Sequence, residues 1–274
     1  CRPYEEAGKL NSAQAVRTLC SQVFRFGIAL GACDNDPATP ARDAIARPKA
    51  GGHPGITEPK EAGRLMAAIR GYDQGDPAVR VGLLLSAYLF PRPGEIRNMR
   101  WQEIDGETWI VPARFMKMKR DHTVPLSRQA RELLDDIRPL TGRKELVLHS
   151  FTSSSCMLSE NTFNRALRRL GYPQGVHVAH GFRITASTTL HEAGWNSDWI
   201  ERQLAHVERN SVKGAYNRAL HLKDRTEMMQ WYADWLDARE AEATTIRSHG
   251  GNGDARTASR SGQSSRGGEA TSSR

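Results

Sequence analysis

The chain has 274 residues, with 39 lysines and arginines against 31 aspartates and glutamates, and its formal net charge of +8 at pH 7 favours a polyanionic partner. An apolar fraction of 38% with 24 glycines is ordinary for a globular protein and excludes a disordered chain, a coiled coil or a collagen for most of the length. The apolar runs, such as residues 81–85, are far shorter than the ~20 residues of a membrane-spanning helix, which predicts a soluble protein.

The N-terminal segment is predicted to be helical. Residues 12–30 carry apolar side chains mostly at three- and four-residue spacings, which is typical of an amphipathic helix. Residues 1–36 are too few to bury a core alone, and the chain begins with Cys1 and without the apolar run of a secretion signal. We therefore expect residues 1–36 to be the end of a helical domain whose beginning is missing. Residues 37–56 are rich in proline and glycine and are predicted to be a linker.

The remaining chain is expected to form one domain over residues 57–240. Helices are predicted at 57–69 and at 76–90, the latter buried on most sides. The β-prone segments 108–111 and 123–124 enclose a basic stretch and predict a small sheet. Helical periodicity then returns in five segments: 127–137, 160–170, 181–193, 198–204 and 213–239. The predicted fold class is mainly α with a small antiparallel β-sheet.

The C-terminal residues 241–274 are predicted to be a disordered tail. From residue 247 onwards there are 6 glycines, 7 serines and 5 arginines, but no valine, isoleucine, leucine, methionine or aromatic residue other than histidine. Such a segment cannot bury enough apolar surface to offset the entropy lost on ordering.

Two pairs of polar residues occur at helix starts. Arg92 precedes Glu95 by three residues, close enough for a charge-assisted pair that orients the guanidinium. His180 and Arg183 are also three residues apart, so both side chains face one side of a predicted helix. Each pair alone is most simply an ion pair or a solvated first turn.

Three further polar residues also give little evidence of function when each is considered alone. His206 ends a short predicted helix, Tyr216 lies ten residues later, and Lys117 lies between the predicted strands. Ordinary surface roles account for each of them when it is considered separately.

Their joint occurrence in this order resembles the catalytic domain of the tyrosine recombinases, the phage integrase family. The strings HGFRITASTTLHEAGW, WIERQLAHVERNSVKGAYNRA and MMQWYADWLD are similar to integrases of prophages, satellite phages and genomic islands. The resemblance covers about residues 56–240, and residues 1–36 resemble the closing helix of that family's core-binding domain.

The resemblance implies a role for each residue: Tyr216 as nucleophile, Arg92 and Arg183 as the phosphate clamp, His180 and His206 as active-site imidazoles, Lys117 as the hairpin lysine and Glu95 as support for Arg92. Lys117 stands eight residues before Pro125, which is the family's spacing, but Lys119 and Arg120 remain alternatives. Two arginines suit a phosphorane because their forked, permanent charges match its oxygens. His180 is the expected base, His206 a donor to a non-bridging oxygen, and Lys117 the acid for the leaving oxygen.

The implied activity is site-specific DNA recombination through a 3′-phosphotyrosine, which integrates or excises a mobile element without metal, ATP or other cofactor. The implied partners are double-stranded DNA attachment sites, three further copies in a homotetramer, and accessory DNA-bending proteins, in the bacterial cytoplasm at the nucleoid. The alternatives are a topoisomerase-like or resolvase enzyme, or an inactive DNA-binding remnant. The last helix, residues 223–239, is expected to pack on its own domain or on a neighbouring protomer.

Overall fold

A computed structural model describes residues 1–46, 52–116, 120–206 and 221–250, the last with side chains to residue 245. Contacts divide the chain into two compact units, residues 1–52 and 53–274. The described residues form mainly α-helices and one three-stranded antiparallel sheet, which confirms the predicted fold class. No helix in these ranges is both long enough and apolar enough to cross a bilayer.

The first unit contains helices α1 (Arg2–Glu6) and α2 (Leu10–Ala29) and a 3-10 turn, Pro40–Arg42. The amide of Gln14 donates to the carbonyl oxygen of Ile45 at 3.2 Å, and Ile45 is buried. Part of the segment predicted as a linker therefore packs on α2.

The second unit begins with helices α3 (Pro59–Arg70), α4 (Pro77–Leu89) and α5 (Pro93–Arg97). The sheet follows, with β1 (Ile104–Asp105), β2 (Thr108–Val111) and β3 (His122–Pro125) in that order. Helices α6 (Arg128–Thr141), α7 (Thr162–Arg169), α8 (Gly181–Glu192), α9 (Ser197–Gln203) and α10 (Leu222–Gly250) complete it. The sequence pattern gave no sign of α1 or β1, which are five and two residues long.

Helix α4 is the centre of the second unit, and it is buried on nearly all sides as predicted. Asp76 caps its start, because one carboxylate oxygen accepts from the Ala78 amide at 3.0 Å and the other from the Phe151 amide at 2.9 Å. A Cβ at Gly82 would lie 2.6 Å from the ring of Phe163, so only glycine allows α7 to approach this closely.

Helix α10 packs on its own domain along its described side chains, one of the two alternatives considered for it. Met228, Met229 and Tyr232 are buried in the core, while Asp237 accepts from the hydroxyl of Tyr88 at 2.5 Å. The helix continues to Gly250, beyond residue 240, where the predicted tail begins. Helix-favouring alanine and glutamate residues continue the helix there, and Ala243 is buried. Just before the extension, Glu240 forms an ion pair with Arg70 at 2.6 Å.

Candidate active site

The link between α4 and α5 determines where Arg92 lies. Phe90 ends α4 in the left-handed region, with φ of 41°, and Pro91 and Pro93 on either side of Arg92 prevent the helix from continuing. Glu95 is buried and accepts twice from Arg92, from its backbone amide and from Nη1, both at 2.8 Å. The predicted contact between these two side chains is therefore present, and it fixes the direction of the guanidinium.

Arg183 lies in the first turn of α8 and is only 4% exposed, so it is not part of a solvated turn. Its Nη1 donates to the carbonyl oxygen of Phe90 at 3.0 Å, and its Nη2 donates to that of Leu204 at 2.7 Å. Burial and the neighbouring charge of Arg92 lower the pKa of this guanidinium to about 10, which leaves it charged at neutral pH. Arg183 thus joins the end of α4 to the end of α9.

The turn after α9 brings the two arginines together. Arg92 Nη2 donates to the carbonyl oxygen of Ala205 at 3.2 Å, one residue beyond the carbonyl that Arg183 binds. Ala205 has φ of 49°, a left-handed conformation that is rare for alanine. Through this turn the guanidinium groups of Arg92 and Arg183 approach adjacent peptide groups on one side of the domain.

His206 follows this turn and contacts charged groups through both ring nitrogens. Its Nε2 accepts from Arg183 Nη2 at 3.2 Å, and its Nδ1 donates to Glu201 at 2.7 Å. Nε2 is the acceptor here because an arginine can only donate. The carboxylate of Glu201, which the sequence reasoning did not identify, fixes the orientation of the His206 ring.

His180 immediately precedes α8 and is partly buried. Burial, followed in order by the charges of His53, Arg183, Arg92 and His206, lowers its pKa to about 4. At neutral pH the imidazole is therefore uncharged and able to accept a proton. The ring of His53 lies 4.3 Å from that of His180, centroid to centroid.

Buried polar groups support the end of α9 from two other elements. His122 in β3 donates from Nε2 to the carbonyl oxygen of Gln203 at 3.1 Å. Arg225 in α10 donates from Nε to the Gln203 side chain at 3.1 Å and from Nη2 to the carbonyl oxygen of Thr123 at 2.6 Å. Sequence reasoning missed both side chains. A histidine at a buried strand position was a signal for the first, whereas nothing in the pattern identified the second.

The remaining predicted residues lie outside the described ranges: Lys117, its alternative Lys119, and Tyr216. Arg120, the other alternative to Lys117, is exposed beside β3. The described part of the site therefore brings together Arg92, Glu95, His180, Arg183 and His206. Within the described ranges no group of three histidine, cysteine, aspartate or glutamate side chains could hold a metal ion.

Comparison with known proteins gives matches over both units. The family described as "Phage integrase family" matches residues 56–223, and "Phage integrase central domain" matches residues 1–44. The integrase of Enterobacteria phage P4 is 37% identical over 250 residues, covering 85% of this chain and 56% of that protein. The chain spans 56–63% of the length of three curated relatives that it matches.

Solved structures show the same fold. A lambda integrase dimer bound to a COC′ core site aligns with a TM-score of 0.57 at 20% identity, over 76% of each chain. A lambda integrase tetramer bound to a Holliday junction aligns with a TM-score of 0.55 at 18% identity, over 78% of this chain and 61% of that one.

Proposed function

Because this chain belongs to the phage integrase family, whose match covers residues 56–223, we propose that it is a site-specific DNA recombinase of the tyrosine type. It cleaves and rejoins DNA strands through a 3′-phosphotyrosine and so integrates or excises a mobile element. The observation that carries the proposal is the approach of Arg92 and Arg183 to the adjacent carbonyls of Ala205 and Leu204, beside His206. Two fixed cations and an imidazole then face one phosphate.

The two arginines stabilise the transition state. Attack on a phosphodiester places extra negative charge on the non-bridging oxygens, and donors that are already oriented stabilise that charge without reorganisation. Arg92 is oriented by Glu95, and its side chain remains 27% exposed, so it can reach a phosphate. Arg183 is nearly buried, and it contributes mainly charge and the orientation of His206.

Tyr216 is the proposed nucleophile and His180 its base. A phenol has an ordinary pKa of about 10, so its proton must leave as the oxygen attacks. His180 is suited to accept it because burial and four neighbouring cationic or titratable groups keep the imidazole neutral. The phenolic oxygen forms a bond to phosphorus while the bond to the 5′ oxygen of the leaving strand breaks.

The leaving oxygen requires a proton, for which we propose Lys117. Lys117 belongs to the segment that connects β2 and β3. Val111 at the end of β2 pairs with His122 at the start of β3, and this pair fixes the two ends of the connection. We propose that His206, held by Glu201, donates to a non-bridging oxygen. The released 5′ hydroxyl of another strand then attacks the phosphotyrosine, which retains the bond energy, so rejoining needs no nucleotide.

The proposed partners follow from this chemistry and from the relatives. Lambda integrase has been crystallised as a dimer on a core site and as a tetramer on a Holliday junction. For this chain we propose double-stranded DNA attachment sites as substrate, a homotetramer as the reacting assembly, accessory DNA-bending proteins, and a place at the bacterial nucleoid. The net charge of +8 supports DNA binding that weakens steeply with salt.

A strand-transfer assay tests the function. The chain is incubated with a nicked duplex carrying the attachment site and a second, labelled duplex, and in parallel with a supercoiled plasmid. A recombinase joins strands of the two duplexes, and it loses this activity in Tyr216→Phe. Relaxation of the plasmid without transfer would instead identify a topoisomerase-like enzyme, and DNA binding without cleavage would identify an inactive remnant.

A further inference from the structure

The segment of residues 53–56 lies directly on the start of α8, although its sequence is that of a linker. The amide of Ile56 donates to Nδ1 of His177 at 3.1 Å, and the hydroxyl of Thr185 donates to the carbonyl oxygen of Ile56 at 2.5 Å. Both partners are buried. These two hydrogen bonds hold the segment against α8 and the turn that precedes it.

Two glycines allow the backbones to touch. A Cβ at Gly55 would lie 2.7 Å from the carbonyl oxygen of Gly181 and 2.8 Å from Cβ of Ile184. A Cβ at Gly181 would collide with the carbonyl oxygen of Pro54. Because neither position accepts a side chain without a shift of the backbone, the segment and α8 form one closely packed unit.

This packing sets the position of His53, the first residue of the segment. Its ring lies against that of His180 with centroids 4.3 Å apart and planes inclined by 42°. One side of His180 is therefore covered by an aromatic ring rather than by water. His53 itself is exposed on its outer side, so it contributes little to the core.

We propose that His53 is a positioning residue for the reaction, whose ring covers His180 and holds it as an oriented, uncharged base. The inference rests on the proposed function, because it assigns His53 a part in that reaction. The groups whose charges act on His180 are His53 from this segment, Arg92 before α5, Arg183 in α8 and His206 after α9. Burial lowers the pKa of His180 most, so removal of the covering ring acts on the largest cause.

Histidine NMR titration tests the contact without requiring DNA. In the unchanged chain we expect a nuclear Overhauser effect between the two rings and a His180 pKa near 4, far below its ordinary 6.5. His53→Ala is expected to raise this pKa above about 5, because water reaches the imidazole. His53→Phe keeps a covering ring and is expected to stay closer to the unchanged chain. His191→Ala, an exposed position of α8, is the matched control.

Single-turnover cleavage gives the functional readout. With His53→Ala we expect at least ~3-fold slower cleavage at pH 4.5, where a base with a pKa above about 5 is mostly protonated, and less than ~1.5-fold slower cleavage at pH 8. His53→Phe should retain most of the activity at both pH values. The inference is overturned if His53→Ala leaves the His180 titration and the pH profile unchanged, or if His53→Phe raises the pKa as far as alanine does. Absence of a Tyr216 adduct in the unchanged chain would contradict the recombinase instead, and the titration would still decide the contact.

Discussion

The guanidinium of Arg183 donates to the carbonyl oxygen of Phe90, 3.0 Å away, and so connects the first turn of α8 to the end of α4. Phe90 is fully buried and left-handed, and the chain turns there toward Arg92. One arginine is therefore part of the framework that positions the other. The two cations of the site differ in what they contribute to folding.

Arg183→Ala is expected to lower the free energy of unfolding by about 2–5 kcal/mol, because the buried carbonyls of Phe90 and Leu204 lose their donor. Arg92→Ala should cost about 1–2 kcal/mol, since water can reach a side chain that is 27% exposed. Both should slow cleavage by at least ~100-fold. Urea unfolding measures the loss of stability, and single-turnover cleavage measures the loss of rate. Equal stability of the two variants would contradict the framework role of Arg183.

Glu95→Gln is expected to slow single-turnover cleavage about 10–100-fold, because the backbone amide and Nη1 of Arg92 bind different carboxylate oxygens and glutamine replaces one of these oxygens by an NH2 donor. The guanidinium then loses its fixed direction. Glu61→Gln, which affects an exposed pair with Arg64, is the control and should leave the rate within about two-fold. A rate for Glu95→Gln as high as for the control would show that Arg92 does not need this partner.

Ala205→Gly is expected to leave the free energy of unfolding unchanged or higher by up to about 1 kcal/mol, because glycine adopts φ of 49° without strain. Ala68→Gly, inside α3, should instead cost about 1 kcal/mol. Thermal and urea unfolding of the two variants provide the comparison. A similar loss in both would mean that the turn that holds the two arginines is not strained.

Acidification is expected to destabilise the domain between about pH 6.5 and pH 4. Burial lowers the pKa of His122 to about 3 and that of His177 to about 4, so below 6.5 the unfolded chain binds protons that the folded chain does not. Stability is therefore complete above 6.5 and falls with pH, by up to about 1.4 kcal/mol per pH unit for each histidine. His122→Gln should reduce the slope measured by urea unfolding, while His191→Ala should not. A slope unaffected by His122→Gln would contradict its burial as a neutral ring.

Most helices of the second unit could be predicted, because burial against a common core imposes a three- to four-residue spacing on apolar side chains. The predicted helix at 76–90 corresponds to α4 at Pro77–Leu89. The extension of α10 to Gly250 could not be predicted from spacing. It depends on alanine and glutamate propensity and on the pairing of Glu240 with Arg70, which are 170 residues apart.

The sequence predicted a set of candidate site residues but not the geometry of those that the structure describes. The order of Arg92, His180, Arg183 and His206 carried the resemblance, whereas the approach of the two arginines depends on backbone carbonyls that no side-chain pattern reveals. His53 lies in a segment rich in proline and glycine, where no periodicity distinguishes a packed residue from a linker residue. Its position follows from hydrogen bonds and close backbone contacts formed only in the folded chain.

Peptide mapping of a trapped DNA adduct tests the central claim most directly. The chain is incubated with a nicked duplex carrying the attachment site, the covalent product is isolated, and the DNA-linked tryptic peptide is sequenced by mass spectrometry. We predict DNA attached through Tyr216 on the peptide of residues 214–218, no adduct with Tyr216→Phe, and DNA affinity of that variant within a few-fold of the unchanged chain. DNA linked to any other peptide, or an adduct that persists in Tyr216→Phe, would contradict the account.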